Sequence, residues 1–342
     1  MARQERPSRP LRVALTGAGM ISWHHLTAWR NLGKRVQLVA ICDPNAEHAQ
    51  RRADEFKISR TYRDTAAMLA DGDVDALDVA SPRQTHAAHV EAAAAKGIAV
   101  LCQKPLTPTL REAEQLVRRV NDKCRLMVHE NWRFRPWYRE LHQWIAGGYL
   151  GDILMGQLNM IGSGMLPNAE GRRPALERQP FMANEAQLMI AEVLIHHLDV
   201  MRYLCGPLHV LAARTSHTLD DVRGETLATI LLCTEKNAPV TVAGTMAAPG
   251  YPASVGDRLE IVGTTASAIF EGDELSLVGP QPRSQRFDRT PGYQASFDNT
   301  IAHFVDCLES GAPFETDGTD NIETLKLVDQ AYRAAGMSGV KA

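Results

Sequence analysis

No stretch of this sequence stays apolar for the roughly 18 residues that a membrane helix requires, so a helical span is excluded. Excess charge is lacking as well. Lys and Arg number 37 and Asp and Glu 40, a net charge of -3, so nothing draws the chain generically to nucleic acid or anionic lipid. There is no helix-turn-helix pattern and no basic stripe, and a nucleic-acid partner is not expected. Six cysteines occur, Cys42, Cys102, Cys124, Cys205, Cys233 and Cys307, and none stand in C-x-x-C spacing. That argues against a zinc site and a disulfide framework. Most sit in apolar runs and read as buried free thiols in a reducing, cytoplasmic compartment. No internal repeat or low-complexity tract is present. Residues 1–10, with Arg3, Arg6 and Arg9 among prolines, lack the apolar core of a secretory signal and read as a leader.

What is present is a soluble composition, 44% hydrophobic and 23% charged, over 342 residues, enough for two domains. The first ~125 residues alternate short apolar runs with helix-like segments. Leu11–Thr16, Val36–Cys42, Ala76–Ala80 and Ile98–Cys102 read as strands covered on both faces, with a further short strand at Leu126–His129. Trp23–Leu32, Ala46–Phe56, Thr85–Ala95 and Leu110–Asn121 read as the helices between them. This alternation implies an α/β fold with a parallel, doubly wound Rossmann sheet. Trp137–Ala146 reads as a helix that ends at Gly147-Gly148, a candidate boundary. The second half has another rhythm. A strand at Ile153–Ile161 precedes a polar loop over 163–188 and a helix at Ala191–Leu204. Six strand-like runs then follow between 208 and 278 without intervening helices, which implies an antiparallel sheet. Closing helices are expected at Thr300–Leu308 and Asn321–Ala335. The expected division is a leader over 1–10, a nucleotide-binding domain over 11–130, and a substrate-binding and oligomerisation domain over 131–342.

Thr16-Gly17-Ala18-Gly19-Met20-Ile21-Ser22 follows the first strand and opens a helix. This is G-x-G-x-x-G with serine at the third glycine, in the setting that binds a dinucleotide pyrophosphate. Asp43 ends the second strand, placed to accept from both ribose hydroxyls and to repel a 2′-phosphate, so NAD is expected over NADP. Ser81, Gln84 and His86 follow the third strong strand, where ligands of such sheets lie, although Ser81-Pro82-x-x-Thr85 equally reads as an ordinary helix start.

Together with these residues, Gln103-Lys104-Pro105-Leu106, Asn131-Trp132-Arg133-Phe134 and Glu192-Val193-Leu194-Ile195-His196-His197-Leu198-Asp199 resemble the Gfo/Idh/MocA oxidoreductases, relatives of glucose–fructose oxidoreductase and inositol dehydrogenase. Phe304–Leu308 and Thr316–Asp320 extend the resemblance over nearly the whole chain. It implies a Rossmann domain followed by a domain built on a large open antiparallel sheet. That sheet commonly joins subunits in the family, so a homodimer or homotetramer is implied. Three positions depart from the family. Gln103 stands where glutamate is usual, and Glu192 and Leu194 stand where aspartate and glycine often occur.

Oxidation of an alcohol needs a base for the hydroxyl proton and a group that stabilises developing alkoxide character. Lys104, at the end of a buried strand, suits the second role, and Gln103 lies beside it near the cofactor ribose. His196 suits the first. Glu192 lies four residues before it, on the same face of an α-helix, to orient it or hold a substrate hydroxyl, and Asp199 follows one turn later. A metal is not expected, since nicotinamide chemistry on a hydroxyl does not require one. Asn131 and Arg133 are candidates to hold substrate, with Trp132 or Phe134 stacking on a sugar face; a hinge of Arg–carboxylate pairs is the alternative there. Arg172, Arg173 and Arg178 lie in the 163–188 loop, as a closing lid or as solvated charges. The expected enzyme is an NAD-dependent dehydrogenase of a sugar or polyol, with an aldose giving its lactone. Val100–Leu106 and Met127–Arg139 resemble D-apiose dehydrogenases within the family. A cyclic polyol (inositol) dehydrogenase, an NAD-dependent glycosidase and a non-catalytic NAD-binding regulator are the alternatives.

Overall fold

The computed structural model describes residues 9–254 and 256–337. The leader expectation falls mostly on residues 1–8, outside the described residues. Arg9 is described, and its guanidinium donates to both oxygens of Asp75 at 3.0 Å.

By internal packing the chain forms two compact units, 1–131 with 294–323, and 132–293 with 324–342. The first holds a six-stranded sheet in the order β3-β2-β1-β4-β5-β6. Its strands are β1 (Leu11–Thr16), β2 (Val36–Cys42), β3 (Thr61–Tyr62), β4 (Ala76–Val79), β5 (Ala99–Gln103) and β6 (Leu126–His129), all parallel. Between them run α1 (Ser22–Asn31), α2 (Ala46–Phe56), α3 (Thr65–Ala70), α4 (His86–Ala94) and α5 (Leu110–Val120). Local chemistry starts these helices. Asn45 accepts from the N–H groups of Glu47 and His48 at α2, and Asp64 accepts from Ala67 at α3. Thr109 and Glu112 form a capping box at α5. One face of the sheet packs Leu15 and Ile41 against Leu26, Ala49, Ala53 and Phe56. The sequence reading missed β3 and α3. Two residues of strand are too short to show a period, and Asp64 was the available signal.

The second unit begins with a 3-10 turn, Trp132–Phe134, and α6 (Pro136–Ala146); Gly147 and Gly148 follow inside this unit. Its sheet has eight strands in the order β14-β13-β12-β11-β7-β10-β9-β8. They are β7 (Ile153–Ile161), β8 (Leu208–Ser216), β9 (Leu227–Thr234), β10 (Pro239–Thr245), β11 (Gly256–Gly263), β12 (Ser267–Glu271), β13 (Glu274–Val278) and β14 (Arg283–Arg286). Every pair is antiparallel except β7 with β10. β14 escaped the sequence reading because all four of its residues are exposed at the sheet edge. The 163–188 stretch is more than a loop, since it carries α7 (Pro174–Arg178) and a 3-10 turn, Pro180–Asn184.

The helix expected over Ala191–Leu204 differs in kind. Met189–Leu194 is π-helical, and α8 (Ile195–Cys205) continues from it. α8 closes on one face of the sheet, where Gly156 admits the Met201 methyl; a Cβ there would lie 2.7 Å from it. Two longer helices, α9 (Arg289–Ser310) and α10 (Gly318–Ala334), complete the chain.

Candidate active site

In the first unit the chain leaves β1 at Gly17 with φ +98°. A Cβ at Gly17 would lie 2.5 Å from the Ala80 carbonyl carbon, so only glycine fits there. Over Gly19, by contrast, a Cβ would meet nothing within 4 Å, and the backbone faces open space. α1 starts with no side-chain cap, and the Ser22 hydroxyl turns back to donate to the Gly19 carbonyl at 2.6 Å. An open backbone before an uncapped helix N-terminus suits a pyrophosphate. Met20 is exposed and Ile21 half-buried along this turn. Asp43 accepts from the Ala18 N–H at 2.7 Å and the Asn45 N–H at 2.8 Å. A carboxylate has about four acceptor positions, so capacity remains for ribose hydroxyls. These residues fit NAD.

The Ser81 hydroxyl is bonded to that of Thr85 at 2.8 Å, and Gln84 is exposed beside it. His86 is turned inward. Its ring nitrogens lie 2.8 Å from the Ser81 carbonyl and 3.0 Å from the Pro105 carbonyl, and burial lowers its pKa. Its place is between the turns that end β4 and β5, tying one to the other.

Gln103 heads a buried polar chain. Asp78 accepts from the Trp29 indole at 2.6 Å and from His25 Nδ1 at 2.9 Å. With its proton on Nδ1, neutral His25 presents a lone pair at Nε2, and the Gln103 amide donates to it at 3.0 Å. The Gln103 carbonyl oxygen then accepts the Lys104 N–H at 2.8 Å. An amide serves both contacts, whereas an ionised carboxylate would oppose the His25 lone pair. This is a physical reason for glutamine at this position. His129 lies 3.5 Å from the same amide nitrogen and is fully buried, with its pKa well below the usual value through burial and the neighbouring His25. Lys104 itself is half-buried, and its peptide bond to Pro105 is cis. Asn131 is buried and donates to the Ser296 hydroxyl at 2.7 Å.

The second unit places Arg133, Glu192, His196 and Asp199. Arg133 and Asp199 meet: Nε lies 2.7 Å from Oδ2, and Thr324 donates to Oδ1 at 2.9 Å. Asp199 is wholly buried, so the geometry gives it to Arg133 and the Trp132–Phe134 turn. Glu192 is half-buried in the π segment, and His196 sits in the first turn of α8. The His196 ring is 7% exposed and stacks on Trp132, with centroids 4.1 Å apart and planes at 13°. Trp132 therefore meets an imidazole where the sequence reading had offered it to a sugar face. The Arg135 guanidinium covers Trp132 at 3.5 Å. Arg135 is held by Asp257 at 3.0 Å, and Asp257 also accepts from Tyr138 and pairs with His197. Burial alone would raise the Asp257 pKa, but His197 and Arg135 hold it well below the carboxylate range. Sequence reasoning missed this support. Its visible signals were Asp78 inside an apolar strand and Asp257 at the start of another.

Residues 11–130 match the oxidoreductase family with an NAD-binding Rossmann fold, and residues 138–269 match the GFO/IDH/MocA C-terminal domain. A D-apiose dehydrogenase of Paraburkholderia graminis is 32% identical over 94% of this chain and 87% of its own length. This chain belongs to the Gfo/Idh/MocA oxidoreductase family. Another relative, inositol 2-dehydrogenase 4 of Saccharopolyspora erythraea, is 28% identical over 89% of this chain and 87% of its own length. Among solved structures, an oxidoreductase from Agrobacterium radiobacter, in complex with NAD+, L-tartaric acid and magnesium, superposes with a TM-score of 0.88. It is 29% identical and covers 95% of this chain and 96% of its own. The expected family, two-part α/β fold and NAD cofactor are thus borne out. Among the described residues no helix is long and apolar enough to cross a membrane.

Proposed function

We propose that this Gfo/Idh/MocA protein is an NAD-dependent dehydrogenase that oxidises a secondary or hemiacetal hydroxyl of a sugar or polyol, with an aldose leaving as its lactone. The observation that carries the reading is the His196 imidazole, pinned flat on Trp132 one turn beyond Glu192. A ring stacked flat on an indole is a pre-oriented base. Bound NAD would supply the hydride acceptor for the carbinol carbon. His196 takes the hydroxyl proton, and Glu192 orients the imidazole or holds a neighbouring hydroxyl. The Lys104 ammonium donates to the reacting oxygen and offsets its developing charge. Residues 11–130 hold the cofactor through the Gly17-Ala18-Gly19 turn, Asp43, Ser81 and Gln84, and 131–342 carry substrate and subunit contacts.

D-apiose is the favoured substrate, because two D-apiose dehydrogenases are similar at 32% and 31% identity over nearly the whole chain. The sheet face that carries Met155, Ile161, Leu231 and Val262 supports a homodimer or homotetramer through this face. Met155 and Leu231 are 38% and 37% exposed there, among Thr241, Gln157 and Glu260, a mixed surface with apolar side chains available to a second copy. Six free cysteines support a cytoplasmic setting.

NADH absorbance tests the reading, with NAD and a panel of D-apiose, other aldoses, inositols and sugar acids. Lys104→Ala and His196→Ala should each lower kcat on the accepted substrate by about 100-fold or more. NAD binding with no turnover of any panel member would overturn the dehydrogenase reading in favour of a sensor or a redox-cycling glycosidase.

A further inference from the structure

We propose that Glu225 and Tyr332 are positioning residues: together they cap the π segment from a distance and so set where Glu192 and His196 stand. This rests on the reading of His196 as the base.

A helix leaves its first N–H groups without internal partners. Leu188, at the cap position of the π segment, has no side chain able to serve them. Glu225 and Tyr332 serve them instead. The Glu225 carboxylate accepts from the Leu188 N–H at 3.2 Å and the Ile190 N–H at 3.0 Å. The Tyr332 hydroxyl accepts from the Ala191 N–H at 3.1 Å and donates to Glu225 at 2.6 Å. The next N–H, that of Glu192, closes on the Leu188 carbonyl at 2.8 Å. Glu225 comes from the approach to β9 and Tyr332 from α10, and both are 3% exposed. Burial, with the adjoining Glu225 charge, pushes the Tyr332 hydroxyl far up, so it remains a donor. The Glu225 carboxylate here faces the positive end of a helix and accepts from three hydrogen-bond donors.

Two further contacts fit the wide turn to its seat. Gly244 on β10 lets the segment lie close: a Cβ there would come within 2.7 Å of Leu194 and 3.0 Å of Met189. Nδ1 of His197 lies 3.2 Å from the Val193 carbonyl inside the π turn. π turns are rare and need such surroundings to persist. The one extra residue matters for chemistry. Were the segment to relax to an α-helix, the residues on either side of it would change their relative direction by about 100°. His196, beyond the turn, would then leave the face of Trp132, or the start of the segment would leave its seat on Gly244, so the cap helps to hold the ring where it is.

The test compares Tyr332→Phe, Glu225→Gln and His196→Ala with the parent, as full-length proteins. Tyr332→Phe keeps the ring and removes the acceptor for Ala191 together with the donor to Glu225, and Glu225→Gln sets an NH2 group against a backbone donor. The readouts are the NAD Kd, amide hydrogen exchange over 186–198, and kcat and KM per active site. The probe is D-apiose, or myo-inositol if the parent oxidises that instead, each run also deuterated at the oxidised carbon. We expect Tyr332→Phe to lower kcat about 10- to 100-fold, with NAD Kd and sugar KM within about threefold of the parent. Exchange over 186–198 should quicken and the deuterium effect on kcat should rise, as hydride transfer becomes limiting. Loss of fold alone would lower the active fraction and leave kcat per active site and the deuterium effect unchanged. That result would overturn the proposal, as would parent-like kcat and exchange in Tyr332→Phe beside an inactive His196→Ala. An active His196→Ala would overturn the base reading itself.

Discussion

The Arg133–Asp199 pair offers the most direct energetic test of the second unit. The Arg133 side chain is 5% exposed and that of Asp199 0%, so both charges are held in the interior. Arg133→Met would remove two donors and a positive charge while filling much of the same volume. Asp199 would keep the Thr324 hydroxyl at 2.9 Å and the Arg202 guanidinium at 3.8 Å. That is too little to compensate a buried carboxylate, and breaking such a pair from one side costs about 3–5 kcal/mol. For a unit of this size each kcal/mol lowers the melting temperature by about 2–4 °C, so a fall of about 6–20 °C is expected. Thermal melts of the parent, both single variants and Arg133→Met/Asp199→Leu make a complete cycle. The double variant should recover most of the loss, since the charge left unpaired is gone as well. A single-variant cost under about 1 kcal/mol, as exposed pairs show, would refute the reasoning. So would a double variant whose loss is the total of the two single losses.

Gly17→Ala would drive a methyl into the Ala80 carbonyl and occupy a left-handed φ, so NAD affinity should drop by at least about 100-fold in a titration of intrinsic fluorescence. Gln103→Glu would set a buried carboxyl against the His25 lone pair, and burial would raise its folded pKa above the unfolded ~4.3. The variant should then be most nearly parent-like at low pH and fall further behind as pH rises through that folded value; a difference in melting temperature that is flat from pH 5 to 8 would contradict this. His86 and His129 have folded pKa values depressed by burial, so both favour the folded state above their unfolded value of about 6.5. Below it the unfolded chain takes up protons that the folded one refuses, and stability should fall with pH by up to about 1.4 kcal/mol per pH unit for each. Denaturant midpoints from pH 7 to 5 check the slope, and His129→Gln should flatten it by removing one such contribution while those of His86 and His89 remain.

The sequence disclosed elements wherever one physical signal dominated. β1 and β2 are near-continuous apolar runs, and α2 carries both its period and its Asn45 cap, so their limits were legible to the residue. The glycine turn was legible because G-x-G-x-x requires a strand before it and a helix after it. What stayed hidden depends on partners distant in sequence. The π segment needs Glu225 and Tyr332, and an apolar run with a 3.6-residue period cannot disclose a wider turn. Asp199 sat one turn from His196 and read as a substrate contact; its partners within the protein are Arg133 and Thr324. Gln103 read as a ribose contact, and only its neighbours His25 and Asp78 show how its amide is spent inside the protein. Periodicity reports which face is buried and says nothing of which polar atoms meet there.

The first unit has a consequence for synthesis. Its last strand, β6, has a free edge until residues 294–323 return to it: Val128 donates to the Thr316 carbonyl at 2.7 Å, the Thr316 hydroxyl donates back at 2.6 Å, and Arg125 donates to the Cys307 and Ala312 carbonyls. A ribosome delivers those residues only after the entire eight-stranded sheet has been made. The nucleotide-binding half is therefore first to be translated, yet it is closed only near the end of synthesis. In the interval β6 presents an unpaired edge of the kind that recruits other strands. A fragment ending at residue 131 would remain in that condition permanently, and should aggregate unless a peptide spanning 294–323 is supplied in trans.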